Sequence, residues 1–370
     1  MCWLFHFYYE VVVPSSWNGL ATEVARTLNL VRVLRTVVLM MSLIALLGAC
    51  SLPQVSAESR IFGSLTLEPL GEYVIPADAA FQQTSVTGLK GLAYNRAQDR
   101  FYAVATGQGV SNPPRVYRLA LDLAPEGIGG LTVEDVTLLE GPTGELYTPE
   151  ALEPGGLALT PQQKLVVSGR GELPSVQVFE QSGRFQEGLP LPERYRRDGE
   201  KGVQASQGLA TLTISSDGER LFTATAAPLL QDGDVGNRLL HYLIGDVKPL
   251  LISEHVYPLE GIQAGAELAE LLCLDTPGTF LALERDGQGG SRLYQISSAG
   301  ATDTSNLVGL QNVTEIAPLK KRLLAQLDTD LSTMSLGPSL PGGGRALVLL
   351  SSEIDQPGQL SLFRLTASRA

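Results

Sequence analysis

"QGLATLTISSDGERLFTATAAP", residues 207–228, decides how the chain is read. Leu212 and Ile214 alternate with Thr211, Thr213 and Ser215, the period-2 pattern of a half-buried strand. Asp217-Gly218 then forms a turn pair, because Gly accepts positive φ and Asp can hydrogen-bond its own backbone. "RLFTATA" resumes the extended pattern, so the segment reads as a hairpin. The same order recurs in "GLKGLAYNRAQDRFYAVA" (88–105), "GGLALTPQQKLVVSG" (155–169), "ELAELLCLDTPGTFLALE" (267–284) and "LSTMSLGPSLPGGGRALVLLSS" (331–352). A further strand follows each after a loop: "PRVYRLAL", "SVQVFEQ", "NRLLHYLI", "SRLYQIS" and "QLSLFRL". The units start roughly 50 to 70 residues apart, the spacing of propeller blades with long inter-strand loops.

The expected fold is therefore all-β: a single β-propeller from about Phe62 to Leu365. Six blades is the central count, with five or seven also compatible. Residues 61–76, "IFGSLTLEPLGEYVIP", are expected to lend a strand to the last blade and close the ring, removing exposed edges. "LTVEDVTLLEG", within 121–150, is read as a sixth blade. A two-sheet sandwich is the alternative, but the repetition favours the ring. The one helix-length amphipathic segment in the body is Ala264–Leu272.

Only 18% of the residues are charged, which places the chain among folded proteins rather than disordered ones. The formal net charge is −12; Glu10, Glu23, Arg26, Arg32 and Arg35 leave the first fifty residues at +1, so the remainder carries −13. That balance argues against a nucleic-acid binder, which shows a basic stripe. Cys2, Cys50 and Cys273 form no Cys-x-x-Cys pair and no even framework, which excludes a disulfide scaffold and a structural zinc site of the usual spacing.

"RVLRTVVLMMSLIALLGACS" has the parts of an export signal. Arg32 and Arg35 supply the positive region, Val37–Leu47 the apolar one, and Gly48-Ala49 the small residues before Cys50. The apolar run is short for a membrane span. Leu47-Gly48-Ala49-Cys50 resembles the bacterial lipobox, in which the Cys is diacylated and becomes the mature N-terminus. Several acyl chains on Cys50 would anchor the protein stably where one chain would not. Ser51 after the Cys permits sorting to the outer membrane in Gram-negative bacteria. The expected organisation is an extension over 1–27 (or a start codon nearer Val31), a lipoprotein signal peptide over 28–50, a linker over 51–61 and the propeller over 62–370.

Chemistry-bearing motifs are sparse. There is no Gly-x-Ser-x-Gly elbow, P-loop, His-Glu-x-x-His or dinucleotide fingerprint. His241 and His255 are read as structural. "QDGDVGN" (231–237) places Asp232 and Asp234 on a glycine-containing turn, a set of hard oxygen ligands that suits Ca²⁺ without the EF-hand spacing. "LPLPERYRRDGEK" (189–201) carries Arg194, whose fork suits phosphate or carboxylate, against the alternative of a solvated loop. Arg115, Glu284 and Arg285 sit at strand ends, where propeller sites are often built.

"GLKGLAYNRAQDRFYAV", "PRVYRLAL", "LPLPERY", "LTISSDGERLFTATAAPLLQDG", "GAELAELLCLD", "LALER", "KKRLLAQL" and "MSLGPSLPGGGRALVLLSSE" together resemble the phytase-like family, also called "esterase-like activity of phytase". The resemblance covers most of 62–365. It implies an envelope or secreted propeller linked to phosphoester or ester hydrolysis, with Arg115, Glu284 and Arg285 matching the pattern. Several of the family's acidic positions are replaced. Its Asp-Pro-Glu-Gly becomes Glu153-Pro154-Gly155-Gly156, and its Gly-Phe-Glu-Gly/Ala becomes Gly208-Leu209-Ala210-Thr211. Its Asn-x-Glu-Gly becomes Asp330-Leu331-Ser332-Thr333, and a Thr-Glu becomes Thr225-Ala226. Clustered carboxylates are what such a mouth would use to hold Ca²⁺ or to serve as acid and base. The expectation is a lipid-anchored propeller that binds a small molecule or envelope component without catalysis, and that binds no nucleic acid. The alternative is a phosphoester or ester hydrolase working from Glu284, Arg285 and Arg115, with Arg194 and Glu353 as binding residues.

Overall fold

A computed structural model describes residues 17–48, 61–107, 112–171, 173–245 and 248–368. The chain divides into two compact units, Met1–Ala57 and Glu58–Ala370. In the first, a 32-residue helix, Trp17–Gly48, runs through the apolar stretch Val37–Leu47. Among the described residues no helix is long and apolar enough to cross a membrane. Cys50 lies outside the described residues.

The second unit is a five-bladed β-propeller, each blade a four-stranded antiparallel sheet. From the axis outward, blade 1 comprises Leu89–Asn95, Arg100–Ala105, Arg115–Ala124 and Gly127–Leu138. Blade 2 comprises Pro154–Leu159, Leu165–Gly169, Ser175–Phe179 and Phe185–Gly188. Blade 3 comprises Thr213–Ile214, Arg220–Ala224, Asn237–Leu243 and Leu250–Tyr257. Blade 4 comprises Glu267–Cys273, Thr279–Arg285, Ser291–Ser297 and Lys320–Leu327. Blade 5 takes Thr333–Ser339, Arg345–Ser351 and Gly358–Ser368 from the end of the chain and its outer strand, Ser64–Ile75, from the beginning. That last pairing runs from Ser64 opposite Ser368 to Ile75 opposite Gly358, and closes the ring as the sequence implied.

The blade count is five, within the expected range and one below its centre. The sixth blade placed in 121–150 does not exist as such: its strand-like residues belong to the outer strand of blade 1. Ala124 pairs with Gly127 across a tight turn, so the chain folds straight back onto the same sheet. The helical reading of Ala264–Leu272 is also corrected. After a short 3₁₀ turn at Ile262–Ala264, Glu267–Cys273 is the inner strand of blade 4. Its register shifts between Leu268 and Glu270, a β-bulge that interrupts strict alternation and makes the apolar spacing look helical. Blades 1 and 2 shift at the corresponding place, Leu89/Gly91 and Pro154/Leu157.

Apolar faces of neighbouring blades meet in five wedges, which together are the core. Leu92, Phe101 and Val348 fill the wedge between blades 1 and 5, while Val104, Leu157 and Val167 fill that between 1 and 2. Leu221 and Tyr242 meet Val166 and Val178 between blades 2 and 3. Phe222 and Tyr257 meet Phe280 and Ile296 between blades 3 and 4, and Leu283 meets Leu347 between 4 and 5. At the axis the inner strands approach so closely that a Cβ on Gly91 would lie 2.5 Å from the Leu157 amide nitrogen. Glycine there is a requirement of packing.

Candidate functional site

Because every inner strand starts at the same face, charged residues near those starts and near the ends of the second strands converge there. Lys90 and Glu267 come from inner strands of blades 1 and 4, Arg285 ends the second strand of blade 4, and Arg170 directly follows that of blade 2. With Glu153 and Glu353 they line a recess of about 300 Å³. Glu267 bridges two blades: Arg285 Nη1 donates to its Oε1 at 2.9 Å, and Arg170 Nη2 to its Oε2 at 2.6 Å. Arg285 also donates from Nε and Nη2 to the two carboxylate oxygens of Asp330. Lys90 Nζ donates to Glu353 Oε1 at 3.2 Å, and Arg285 Nη2 lies 3.6 Å from the same oxygen. Burial works to raise the Glu267 carboxyl, but the charges and hydrogen bonds of Arg170 and Arg285 outweigh it and hold the pKa below the usual value.

The positions at which the family resemblance places acidic residues are small and buried. Ala210 and Ala226 are 1% and 0% exposed. A Cβ on Gly155 would meet the Leu209 carbonyl oxygen at 2.3 Å. Ser332 Oγ donates within reach of the Leu89 and Leu350 carbonyls, 3.2 and 3.0 Å away, and so fastens blade 5 to blade 1. Among the described residues, no three His, Cys, Asp or Glu groups are arranged to hold a metal ion.

Deeper on the axis lies Glu270, fully buried. Its Oε1 accepts from the Leu271 and Leu212 amides at 2.9 and 3.3 Å, and its Oε2 accepts from Thr333 Oγ1 at 2.8 Å. Thr333 Oγ1 in turn accepts from the Leu92 amide at 3.1 Å, so four blades are tied through one carboxyl. Burial pushes the Glu270 pKa up to about 8.

The sequence-predicted residues divide between several places. Arg285 and Glu353 meet in the mouth. Glu284 does not open into it: it is buried between blades 3 and 4, where its Oε1 accepts from Tyr257 Oη at 2.5 Å and Lys321 Nζ at 2.8 Å. Its Oε2 has no hydrogen-bond partner among the described residues, and burial raises its carboxyl pKa against the pull of Lys321. Arg115 is fully buried; it donates to Tyr117 Oη at 2.6 Å, the Pro113 carbonyl at 3.0 Å and the Ser85 carbonyl at 2.5 Å, latching the small Ala80–Phe81/Thr84–Ser85 hairpin. Arg194 donates to Glu254 at 2.8 Å. Asp232 is locked to Arg238, which donates from Nε at 2.6 Å and Nη2 at 2.7 Å, and it also accepts from the Leu310 amide. Asp234 is exposed on the same turn. Sequence reasoning missed Lys90, Arg170, Glu267 and Glu270. A signal for Arg170 was present: it directly follows a second strand, much as Arg285 ends one.

The model of the family described as esterase-like activity of phytase matches residues 84–351. The chain belongs to the Phytase-like family. The matched segment holds all five inner strands and every residue of the mouth recess except Glu353, which lies two positions beyond it. No match was found among curated protein sequences. Among solved structures, the chain is similar to the periplasmic gluconolactonase of Pseudomonas aeruginosa, with 13% identity and a TM-score of 0.38 over 83% of this chain and all of that one. A luciferin-regenerating enzyme aligns with 11% identity and a TM-score of 0.40 over 80% and 95% of the two chains. The extracellular domain of a hybrid two-component system from B. thetaiotaomicron aligns with 14% identity and a TM-score of 0.35 over 76% of this chain, which spans 28% of that one. At these identities and scores none of them bears on activity.

Glu270 carries a pH signature. Its folded pKa of about 8 stands above the ordinary value of 4.5, so the stability it contributes is complete below 4.5 and is lost as pH rises through 8. Glu270→Gln keeps an acceptor and removes the titration. Thermal unfolding across that interval is expected to show wild type losing stability relative to the variant, by on the order of a few kcal/mol at about 1.4 kcal/mol per pKa unit. A gap that stays constant with pH would contradict this placement of the carboxyl.

Proposed function

We propose that this Phytase-like protein is a non-catalytic member of its family. In this reading it is exported, held at an envelope membrane by lipid on Cys50, and binds a small molecule or envelope component at the charged mouth. The observation that carries it is the state of the mouth carboxylates. Glu267, Asp330 and Glu353 are each engaged by an arginine or lysine, and the axial positions beside them are Gly155, Ala210 and Ser332. A general acid or a Ca²⁺ cage needs several carboxylates converging on one open point. Here they are instead spread around a ring of cations. Such a ring, with Lys90, Arg170 and Arg285 interleaved among acids, suits a polar ligand that exchanges these ion pairs for its own. Anchoring is supported by the sequence alone: a positive region, an apolar run and the Leu47-Gly48-Ala49-Cys50 box. Family membership keeps the hydrolase as the second reading.

The two readings separate in one assay. Purified full-length chain is incubated with inositol hexakisphosphate, a phosphomonoester and p-nitrophenyl acetate, with Ca²⁺ and with chelator. Turnover indistinguishable from the blank is expected. Turnover that vanishes in Arg285→Ala or Glu267→Gln would establish the hydrolase instead. For the anchor, Cys50→Ser is expected to abolish palmitate labelling in a bacterial host; retained label would refute it.

A further inference from the structure

The other end of the axis is built differently from the mouth. There the later residues of the five inner strands surround a funnel of about 340 Å³. Leu92, Leu157, Leu212, Leu271 and Met334, one from each blade, border it from the inter-blade wedges, and Thr213, Ser216 and Ser335 add polar groups to its lining. Partly exposed Tyr94, Leu159, Ile214 and Leu272 continue the apolar wall outward. For scale, a cavity of about 150 Å³ is enough to take up one benzene ring.

Two arginines stand at the rim. Arg96 follows the inner strand of blade 1, and Arg345 begins the second strand of blade 5. Arg96 makes no hydrogen bond or ion pair among the described residues. Arg345 has only long contacts: Nη1 lies 3.9 Å from Asp275, an acid that is 76% exposed, and Nη2 lies 3.4 Å from the Gly337 carbonyl. The other nearby acid, Asp99, accepts from Tyr94 Oη at 2.7 Å. Burial lowers the Arg345 pKa, and Arg96 pushes it the same way, so the two guanidinium groups repel each other across the rim. A chain of net charge −12 thus carries here two cations against one lining acid, above a cavity of mixed polar and apolar lining. Guanidinium forks in that setting select a carboxylate.

We propose that this end of the axis is a second binding site, for a small organic anion whose body rests against Tyr94, Leu159, Ile214 and Leu272 and whose carboxylate pairs with Arg96 and Arg345. It uses none of the mouth residues and stands whether or not the mouth is catalytic.

Met334 offers a direct probe, because the other methionines, Met1, Met40 and Met41, all precede the propeller. Full-length chain carrying ¹³C-methyl methionine, in phosphatidylcholine nanodiscs, is titrated with 4-ethylbenzoate and with the isosteric but uncharged 4-ethylbenzamide. The Met334 methyl resonance, assigned by its loss in Met334→Leu, is expected to move saturably with the benzoate. The benzamide should need at least tenfold more. In the Arg96→Gln/Arg345→Gln double variant, whose Met334 resonance also reports that the funnel is folded, the two compounds are expected to become equivalent. A resonance that does not move saturably would overturn the site. So would equal response to both compounds in wild type, or a preference for benzoate that survives in the double variant.

Discussion

Glu270 is the interaction on which the ring's geometry turns. A propeller of five blades must bring five inner strands around one axis. Any backbone amide that points inward there has lost water and needs a partner. The Glu270 carboxyl takes the Leu212 amide from blade 3 and Thr333 from blade 5, whose hydroxyl takes the Leu92 amide of blade 1. One side chain thereby satisfies donors from several sheets that share no ladder. The burial that raises its pKa is the cost of that position.

A Cβ on Gly155 would meet the Leu209 carbonyl, Ala210 and Ser332 are buried, and the acids of the mouth recess stand at its rim. There Glu267, Asp330 and Glu353 each meet a cation. The bidentate pairing of Arg285 with Asp330, together with the Glu267 bridge to Arg170, joins blades 2, 4 and 5 by charge-assisted hydrogen bonds at the entrance. The propeller itself says little about chemistry, since such folds host many unrelated functions. What argues against hydrolysis is how these particular residues are spent. Buried ion pairs elsewhere, such as Arg238 with Asp232 and Glu254, are likewise consumed in holding loops to blade 3.

Much of the ring was legible because each blade repeats a strand, a Gly- or Asp-bearing turn and a second strand. The closing strand at 64–75 was legible because it alternates and has no local partner. The misreadings have a common cause in irregular strands. The bulge at Leu268/Glu270 disguised an inner strand as a helix, and the tight Ala124/Gly127 turn hid that the next strand belonged to the same sheet. At the site, Arg285 could be named from a strand end and Glu353 from the acids left by the family pattern, but Glu284, one residue before Arg285, points into the wedge between blades. Neighbouring residues in a strand face opposite sides, so a one-residue difference separates the mouth from the core. The partners that define the mouth, Arg170 to Glu267 above all, lie 97 residues apart and no local pattern reveals them.

The central claim is that the axis is closed to the family's carboxylates by backbone packing. Measuring the melting temperature of Gly155→Glu, with and without Ca²⁺, tests it most directly. Overpacking in an interior typically costs about 1–3 kcal/mol. The account predicts a variant that melts several degrees lower, at about 2–4 °C per kcal/mol for a domain of this size, and that gains nothing from Ca²⁺. A variant as stable as wild type, whose melting temperature rises with Ca²⁺, would contradict it and show that the mouth accepts an acidic cluster.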